Sequence, residues 1–330
     1  MLKFLKSTSI EQVESKFHKT PITFKKTDSF NTVFTTLSQK NILSAPVWDD
    51  EEQKYIGFVD MRDLVAIILD SYDSILMSSA SLNQLLTAIT HYAEKNKHSL
   101  DLEHLTKRNP FISIKKDATL FELAELLTKL RATRVRRVAV VDENDKVVKV
   151  LSQSTLLQAI VSQLNIVDAQ QDHARFAELA RTVEAAGVGT YPAVTVDEQT
   201  SAFDAFSLLE AKKLGGVGVL NATGTLVGNI SIQDFKLFIK NPDIRLGALK
   251  QPVGSFLRSL REEEIDTRMP LIQCQLSSTL REVVLKLVGA RVHRLYVVKS
   301  DQAWLPLGVL SLSDVLQALF SDALAEKTKQ

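Results

Sequence analysis

The sequence predicts an α/β protein built from four copies of one strand–helix–strand–strand–helix unit. Three observations predict it. An apolar run, a hydroxyl or acid, and then a helical pattern recur as YIGFVDMRDLVAIIL (55–69), KVVKVLSQSTLLQAIV (146–161), TLVGNISIQDFKLFI (225–239) and LPLGVLSLSDVLQALF (305–320). The anchor residues of these junctions, Asp63, Thr155, Asp234 and Asp314, stand roughly 80–90 residues apart, the spacing of a repeated supersecondary unit. The same order of patterns precedes each junction.

The first element in each copy is a helix. SFNTVFTTLSQKN, ATLFELAELLTKLRA, SAFDAFSLLEAKKL and STLREVVLKLVGA carry helical periodicity; Leu120, Leu123, Leu127 and Leu130 mark one apolar stripe. A short strand pattern follows: SAPVWD, VRRVAVVD, GGVGVLN and VHRLYVV. Polar turns come next (DDEEQKY, DENDK, NATGT and KSDQAWL), as expected between two strands. The junction then supplies a second strand and a closing helix.

A unit of about 60 residues has a thin core and needs a partner, so four units predict two pairs. The expected organisation is an N-terminal extension (1–23), a first module (24–165), a connector (166–187) and a second module (188–330). Within the first module, 71–109 reads as an insertion. It contains one amphipathic helix, SLNQLLTAITHYAEKNKH.

Bulk properties narrow the function. The 330 residues are 45% hydrophobic and 24% charged with net charge +1, which gives no global argument for nucleic acid or membrane. The single cysteine, Cys274, excludes an internal disulfide and reads as a small buried hydrophobe. The start, MLKFLKSTSIEQ, lacks an apolar stretch of signal-peptide length, and no run reaches membrane-span length. A cytoplasmic or nuclear protein is expected. His18, His91, His98, His104 and His173 show no metal-ligand spacing. No phosphate-loop lysine motif, nucleophile elbow or Cys/His pair is present, so no enzyme is predicted.

The junctions carry the chemistry. Ser and Asp are favoured at helix starts because their oxygens accept from the first free N–H groups. The same place can hold an anion, and an acid beside it can accept from a ribose hydroxyl. Capping explains each junction singly. It does not explain three aligned acids, or the basic pair upstream of Asp314. The cluster Arg131, Arg134, Arg136 and Arg137 alone would read as a solvated face or a nucleic-acid patch, but it has no interleaved aromatics.

These residues resemble a known family. HRLYVV…LGVLSLSDVLQAL, SAPVWDDEEQKYIGF and VGTYPAV (188–194) are similar to cystathionine-beta-synthase (CBS) motifs arranged as two Bateman modules, and most of all to the gamma regulatory subunits of the AMP-activated protein kinase, across 24–322. The resemblance implies four motifs in a disc with nucleotide sites facing its centre. It implies AMP, ADP or ATP as ligands, no required cofactor and no metal. It implies a kinase catalytic subunit and a beta-type scaffold subunit as partners; no nucleic acid and no membrane is expected from the charge and apolar pattern above. The family's junction Asp holds ribose, the nearby hydroxyls help hold phosphate, and basic residues reach the phosphates.

Carried onto this chain, the family roles fall fully on repeat four: His293, Arg294, Ser311, Ser313 and Asp314. Repeat three keeps Ser231 and Asp234, with Thr190 assigned to its first strand, while Gly215, Gly216 and Gly218 replace bulkier residues and loosen its adenine pocket. Repeat two offers Arg136 and Arg137 but has Thr155 in place of the acid and Ser154 where the family offers a lysine. Repeat one keeps Asp63 but has Leu43 at the family's arginine and Asp60 at its hydroxyl, which disfavours a charged ligand. The expected function is an adenine-nucleotide-sensing regulatory subunit of a protein kinase. The alternative is a diverged interaction scaffold, or a regulator of another enzyme or channel, with weak or absent nucleotide sensing.

Overall fold

Among the described residues the strands form four three-stranded sheets of identical order, in which the first strand runs parallel to the second and the third antiparallel to it. The structure is a computed structural model. It describes residues 1–14, 21–75, 81–96, 99–129, 137–169, 173–240, 246–262, 271–300 and 303–327. Helices α1 (Leu2–Ser7) and α2 (Ile10–Glu14) precede repeat one, which comprises β1 (Phe24–Lys25), α3 (Phe30–Gln39), β2 (Ser44–Asp49), β3 (Lys54–Asp60) and α4 (Met61–Ile75). Helices α5 (Leu82–Asn96) and α6 (Leu102–Thr106) lead into repeat two: β4 (Ser113–Lys115), α7 (Leu120–Lys129), β5 (Arg137–Val141), β6 (Val147–Ser152) and α8 (Gln153–Ala169). A 3-10 stretch, His173–Ala180, and α9 (Val183–Ala186) precede repeat three: β7 (Thr195–Asp197), α10 (Ala202–Ala211), β8 (Gly216–Leu220), β9 (Leu226–Ser231) and α11 (Ile232–Lys240). Another 3-10 stretch, Leu246–Lys250, and α12 (Val253–Glu262) precede repeat four: β10 (Gln273–Cys274), α13 (Leu280–Gly289), β11 (Arg294–Ser300), β12 (Ala303–Ser311) and α14 (Leu312–Lys327).

Local chemistry sets the element ends. Ser29, Ser201 and Thr279 cap α3, α10 and α13 by accepting from the backbone N–H three residues on, and Glu282 returns the bond to complete a capping box. Between β8 and β9, the Asn221 side chain accepts from the backbone of Thr223 and Thr225 and so closes the turn. Cys274 is 2% exposed and burial pushes its thiol up to about 11, which suits an inert hydrophobe.

The chain packs as two compact units. One contains residues 22–111 and 194–268, the other residues 1–21, 112–193 and 269–330. Compactness therefore groups alternate repeats, one with three and two with four, whereas sequence order suggested consecutive ones. The reason lies in the helices. In the first unit the faces of α3, α4, α10, α11 and α12 merge into one core around Phe34, Tyr72, Phe206, Phe235 and Phe256, all under 3% exposed. Phe206 meets Phe235 edge-on with ring centroids 4.9 Å apart. In the second unit, α7, α8, α13 and α14 do the same with Leu123, Leu127, Leu157, Leu287 and Phe320.

The segment leading into each repeat packs on its neighbour in sequence. Ile10 N–H donates to the Ala118 carbonyl at 2.8 Å and Leu120 N–H to Thr8 at 2.9 Å, so α1 and α2 join repeat two. Phe58 N–H donates to the Asn109 carbonyl at 2.8 Å, so the segment leading into repeat two joins repeat one. Leu280 N–H donates to Arg181 at 2.8 Å, and Thr190 exchanges backbone bonds with Val309, so the segment before repeat three joins repeat four. Val253 N–H donates to Thr200 at 2.7 Å, so the segment before repeat four joins repeat three. The expected extension (1–23) and connector (166–187) thus supply Phe4, Leu5, Ile10, Phe176, Leu179 and Val183 to a core. The expected insertion holds the predicted amphipathic helix as α5, which buries Leu85, Leu86 and Ile89.

This crossing demands glycine where the leading segment lies closest. A Cβ on Gly57 would stand 2.8 Å from the carbonyl oxygens of Thr106 and Asn109, and one on Gly308 would stand 2.4 Å from the Tyr191 ring. Gly57→Ala should lower stability by about 1–3 kcal/mol, because backbone rather than a flexible side chain must move. Thermal melting checks this. An unchanged melting temperature would mean that the α6 segment is not held against β3.

Candidate functional site

All four closing helices start in the same way. The residue at the third helical position turns back and accepts from the backbone N–H of the residue before the helix. Asp63 accepts from Asp60 at 2.9 Å, Thr155 from Ser152 at 3.3 Å, Asp234 from Ser231 at 2.7 Å and Asp314 from Ser311 at 2.8 Å. This is the returning half of a capping box, and it fixes where each side chain points. In repeats three and four the preceding serine hydroxyl also donates to the same carboxylate oxygen, Oδ2, at 2.7 Å from Ser231 and 2.5 Å from Ser311. Asp234 is 7% and Asp314 3% exposed. These two junctions are the same constellation, as their sequences predict.

Strand register places one further residue opposite each junction. Arg137 pairs with Ser152 and Arg294 with Ser311, whereas Ser44 pairs with Asp60 and Gly216 with Ser231. The two arginines therefore stand in the same compact unit, that of repeats two and four, while the other unit presents small residues at these positions. His293 is exposed, one residue before β11, and its carbonyl accepts from Leu312 N–H at 3.2 Å at the start of α14. Arg136 lies outside the described residues. Thr190, assigned above to the first strand of repeat three, stands elsewhere. That strand is β7 (Thr195–Asp197), and Thr190 is bridged to Val309, two residues before Ser311. The exchange of leading segments carries it there.

Repeat one differs. Asp63 is 1% exposed and its Oδ2 also accepts from the Asn109 side-chain amide at 3.2 Å. Arg108 Nη1 stands 3.5 Å from Asp63 Oδ1, and Arg108 Nη2 pairs with Glu210 of α10. Arg108 and Asn109 come from the segment leading into repeat two, and sequence reasoning missed both. No local signal marks them, because nothing in the run LTKRNPF shows that it folds back on β3. Leu43 packs against the apolar core and its carbonyl accepts from Met61 N–H at 2.7 Å. Repeat two has no acid; Ser152 and Thr155 hydroxyls face each other at 3.2 Å.

Chemically, the repeat-four junction combines a buried carboxylate, two serines, a helix start and an arginine across the strand pair. Such a set suits a ligand with a diol and an anionic group. Among the described residues no group of three His, Cys, Asp or Glu could hold a metal, and no helix is long and apolar enough to cross a membrane.

Comparison with known proteins speaks for the repeats and their fold. The sequence profile of the family described as CBS domain matches residues 10–70, 102–162, 185–241 and 263–321. Over 294 residues the chain is 28% identical to 5'-AMP-activated protein kinase subunit gamma-3 of Sus scrofa, covering 87% of this chain and 51% of that protein. Over 298 residues it is 26% identical to the gamma subunit of the same kinase from Dictyostelium discoideum, covering 88% and 47%. The chain spans about half the length of these curated relatives. A crystal structure of a Methanocaldococcus jannaschii protein, proposed as an archaeal homolog of g-AMPK, superposes with a TM-score of 0.61 at 14% identity over 91% of this chain and 96% of that one. At that identity the superposition speaks for the fold.

The Asp63 surroundings generate a pH prediction. Burial first, then the adjacent Asp60 carboxylate, raises its pKa from 3.8 to about 7, against the backbone bond from Asp60 and the Arg108 charge. Between those values the folded chain holds a proton that the unfolded chain has lost, so this group's contribution to stability falls as pH rises through the window. Asp63→Asn should therefore stabilise the chain at pH 8 by about 1–3 kcal/mol, after the lost Arg108 pair is counted, and by less at pH 5. Melting curves across this range test it. A pH-independent difference would remove Asp63 as the titrating group.

Proposed function

The chain belongs to the CBS-domain family, and from that premise we propose that it is an adenine-nucleotide-binding regulatory subunit of a protein kinase complex, one that reports AMP, ADP and ATP levels to a catalytic partner. The repeat-four junction carries this reading. Ser311 and Asp314 are joined by a 2.5 Å bond, Arg294 stands directly across the strand pair, and Thr190 is bridged two residues away. Similarity to kinase gamma subunits along 87% of the chain supports the partner class: a catalytic subunit and a beta-type scaffold. The role is regulatory rather than catalytic.

Within this proposal the sites are unequal. Repeat four holds the nucleotide with Asp314 on the ribose, and Arg294, His293, Ser311 and Ser313 toward phosphate. Repeat three offers Ser231 and Asp234 in the same geometry, but Gly216 stands where repeat four has Arg294. Repeat two contributes Arg137, and Arg136 by resemblance, but lacks the acid. Asp63 in repeat one is already engaged by Arg108 and Asn109, which supports an unliganded repeat one. The exchanged leading segments support pairing repeat one with two and repeat three with four, the pairing behind the expected modules 24–165 and 188–330, because each packs on the other repeat of its consecutive pair. A second reading, an interaction scaffold without sensing, is favoured by that self-satisfied first junction alone.

Calorimetry with AMP, ADP and ATP tests the proposal directly; no binding by any of them at millimolar concentration would end it. A carboxylate accepting from two ribose hydroxyls makes charge-assisted bonds of about 1.5–3 kcal/mol each before desolvation. Asp314→Ala should weaken AMP binding by roughly tenfold or more, and Asp63→Ala should change it little. Equal effects would overturn the ranking of sites. AMP should also raise the melting temperature, by the equivalent of about 2.7 kcal/mol at a hundredfold excess over Kd. Arg294→Ala should remove most of that shift, measured against the variant's own ligand-free melting temperature. A shift kept in full would overturn the assignment of Arg294 to phosphate.

A further inference from the structure

Gln153 breaks the pattern of the four junctions. The residue that starts each closing helix is Met61, Gln153, Ile232 and Leu312, so three are apolar and one carries an amide. All four are buried, at 0%, 6%, 6% and 7% exposure. A buried amide is costly where its oxygen and its nitrogen lack hydrogen-bond partners. Here both ends meet a single partner in repeat four: Nε2 donates to Ser313 Oγ at 2.9 Å, and Ser313 Oγ donates to Oε1 at 3.0 Å. Ser313 is the second residue of α14, beside Asp314.

We infer that Gln153, from the repeat whose own junction lacks the acid, is a positioning residue for the repeat-four site: its amide holds the Ser313 hydroxyl and lets it turn its proton toward a bound phosphate. The inference rests on the nucleotide reading above. A hydroxyl has one proton. In the ligand-free arrangement that proton goes to Gln153 Oε1. When an anion arrives, the proton turns to it, and the Nε2 donation to Oγ persists and keeps the oxygen in place. A carboxylate at residue 153 could only accept, and an aliphatic side chain could do neither. Repeat two thus retains a part in binding although Thr155 replaces its acid.

The test uses the full chain and titration calorimetry with AMP and with adenosine, which lacks the phosphate. Gln153→Leu and Ser313→Ala should each weaken AMP binding by roughly fivefold to tenfold, the scale of one hydrogen bond, and the double variant should be no weaker than either alone. Adenosine binding should stay unchanged in all three. If AMP binds the wild-type chain and binds the variants equally well, the inference falls and the nucleotide reading stands. Additive losses, or equal losses for adenosine, would also overturn it, since a merely structural role would weaken both ligands. If the wild-type chain binds no AMP, the nucleotide reading itself fails and takes this inference with it. Should Gln153→Leu fail to fold, Gln153→Met, close in volume and unable to hydrogen-bond, decides: a loss for AMP without one for adenosine is still required.

Discussion

A side chain at the third position of each closing helix reaches back to the backbone N–H that precedes the helix, and much else follows from that bond. It satisfies one of the donors a helix leaves open at its start, an interaction of about 0.5–2 kcal/mol. Its larger effect is geometric. The same bond that starts the helix pins a carboxylate at the end of the sheet, buried and facing one direction. In repeats three and four a serine hydroxyl joins the same oxygen. Capping and binding are therefore not rival explanations of the Ser-x-x-Asp pattern. The cap holds the acid where a ligand could use it.

The junction is also a place where the repeats can diverge without losing the fold. Thr155 keeps the returning bond with a hydroxyl, at 3.3 Å rather than the 2.7–2.9 Å of the three acids. The helix survives and the charge is gone. Asp63 keeps the acid, but burial and the Asp60 carboxylate raise its pKa to about 7, and Arg108 and Asn109 already contact its oxygens. Four copies of one structural device thus carry at least three different electrostatic characters, and the arginines opposite them fall only in the unit of repeats two and four.

The exchange of leading segments makes these differences depend on distant sequence. Asn109 and Arg108 reach Asp63 only because their segment crosses to β3, and Thr190 reaches the strand before Ser311 by the corresponding crossing. Gly57 and Gly308 allow the close approach, since any Cβ there would meet the crossing segment. Each repeat is thereby completed by chain that precedes its partner.

Much of this was legible in the sequence because it is local. Helical stripes, strand runs, polar turns and the anchor residues are set by neighbours within a few positions; among the described residues SAPVWD, for example, is β2 residue for residue, whereas the turn KSDQAWL is shorter than its pattern, since β11 runs to Ser300 and β12 starts at Ala303. The paired Ser and Asp of repeats three and four were legible for the same reason, since the bond spans three residues. The partners of those residues were not. Which helix faces merge into a core, which segment crosses to which repeat, where Thr190 stands, and that Arg108, Asn109 and Gln153 touch junctions were decided by tertiary packing. Those contacts join residues 45 to 160 positions apart, and no periodicity or cap records them. The sequence by itself determined the repeating unit and the acids at its helix starts; the tertiary structure decided which of those acids are enclosed by the chain's own side chains, because burial and charge pairing arise only where distant segments meet.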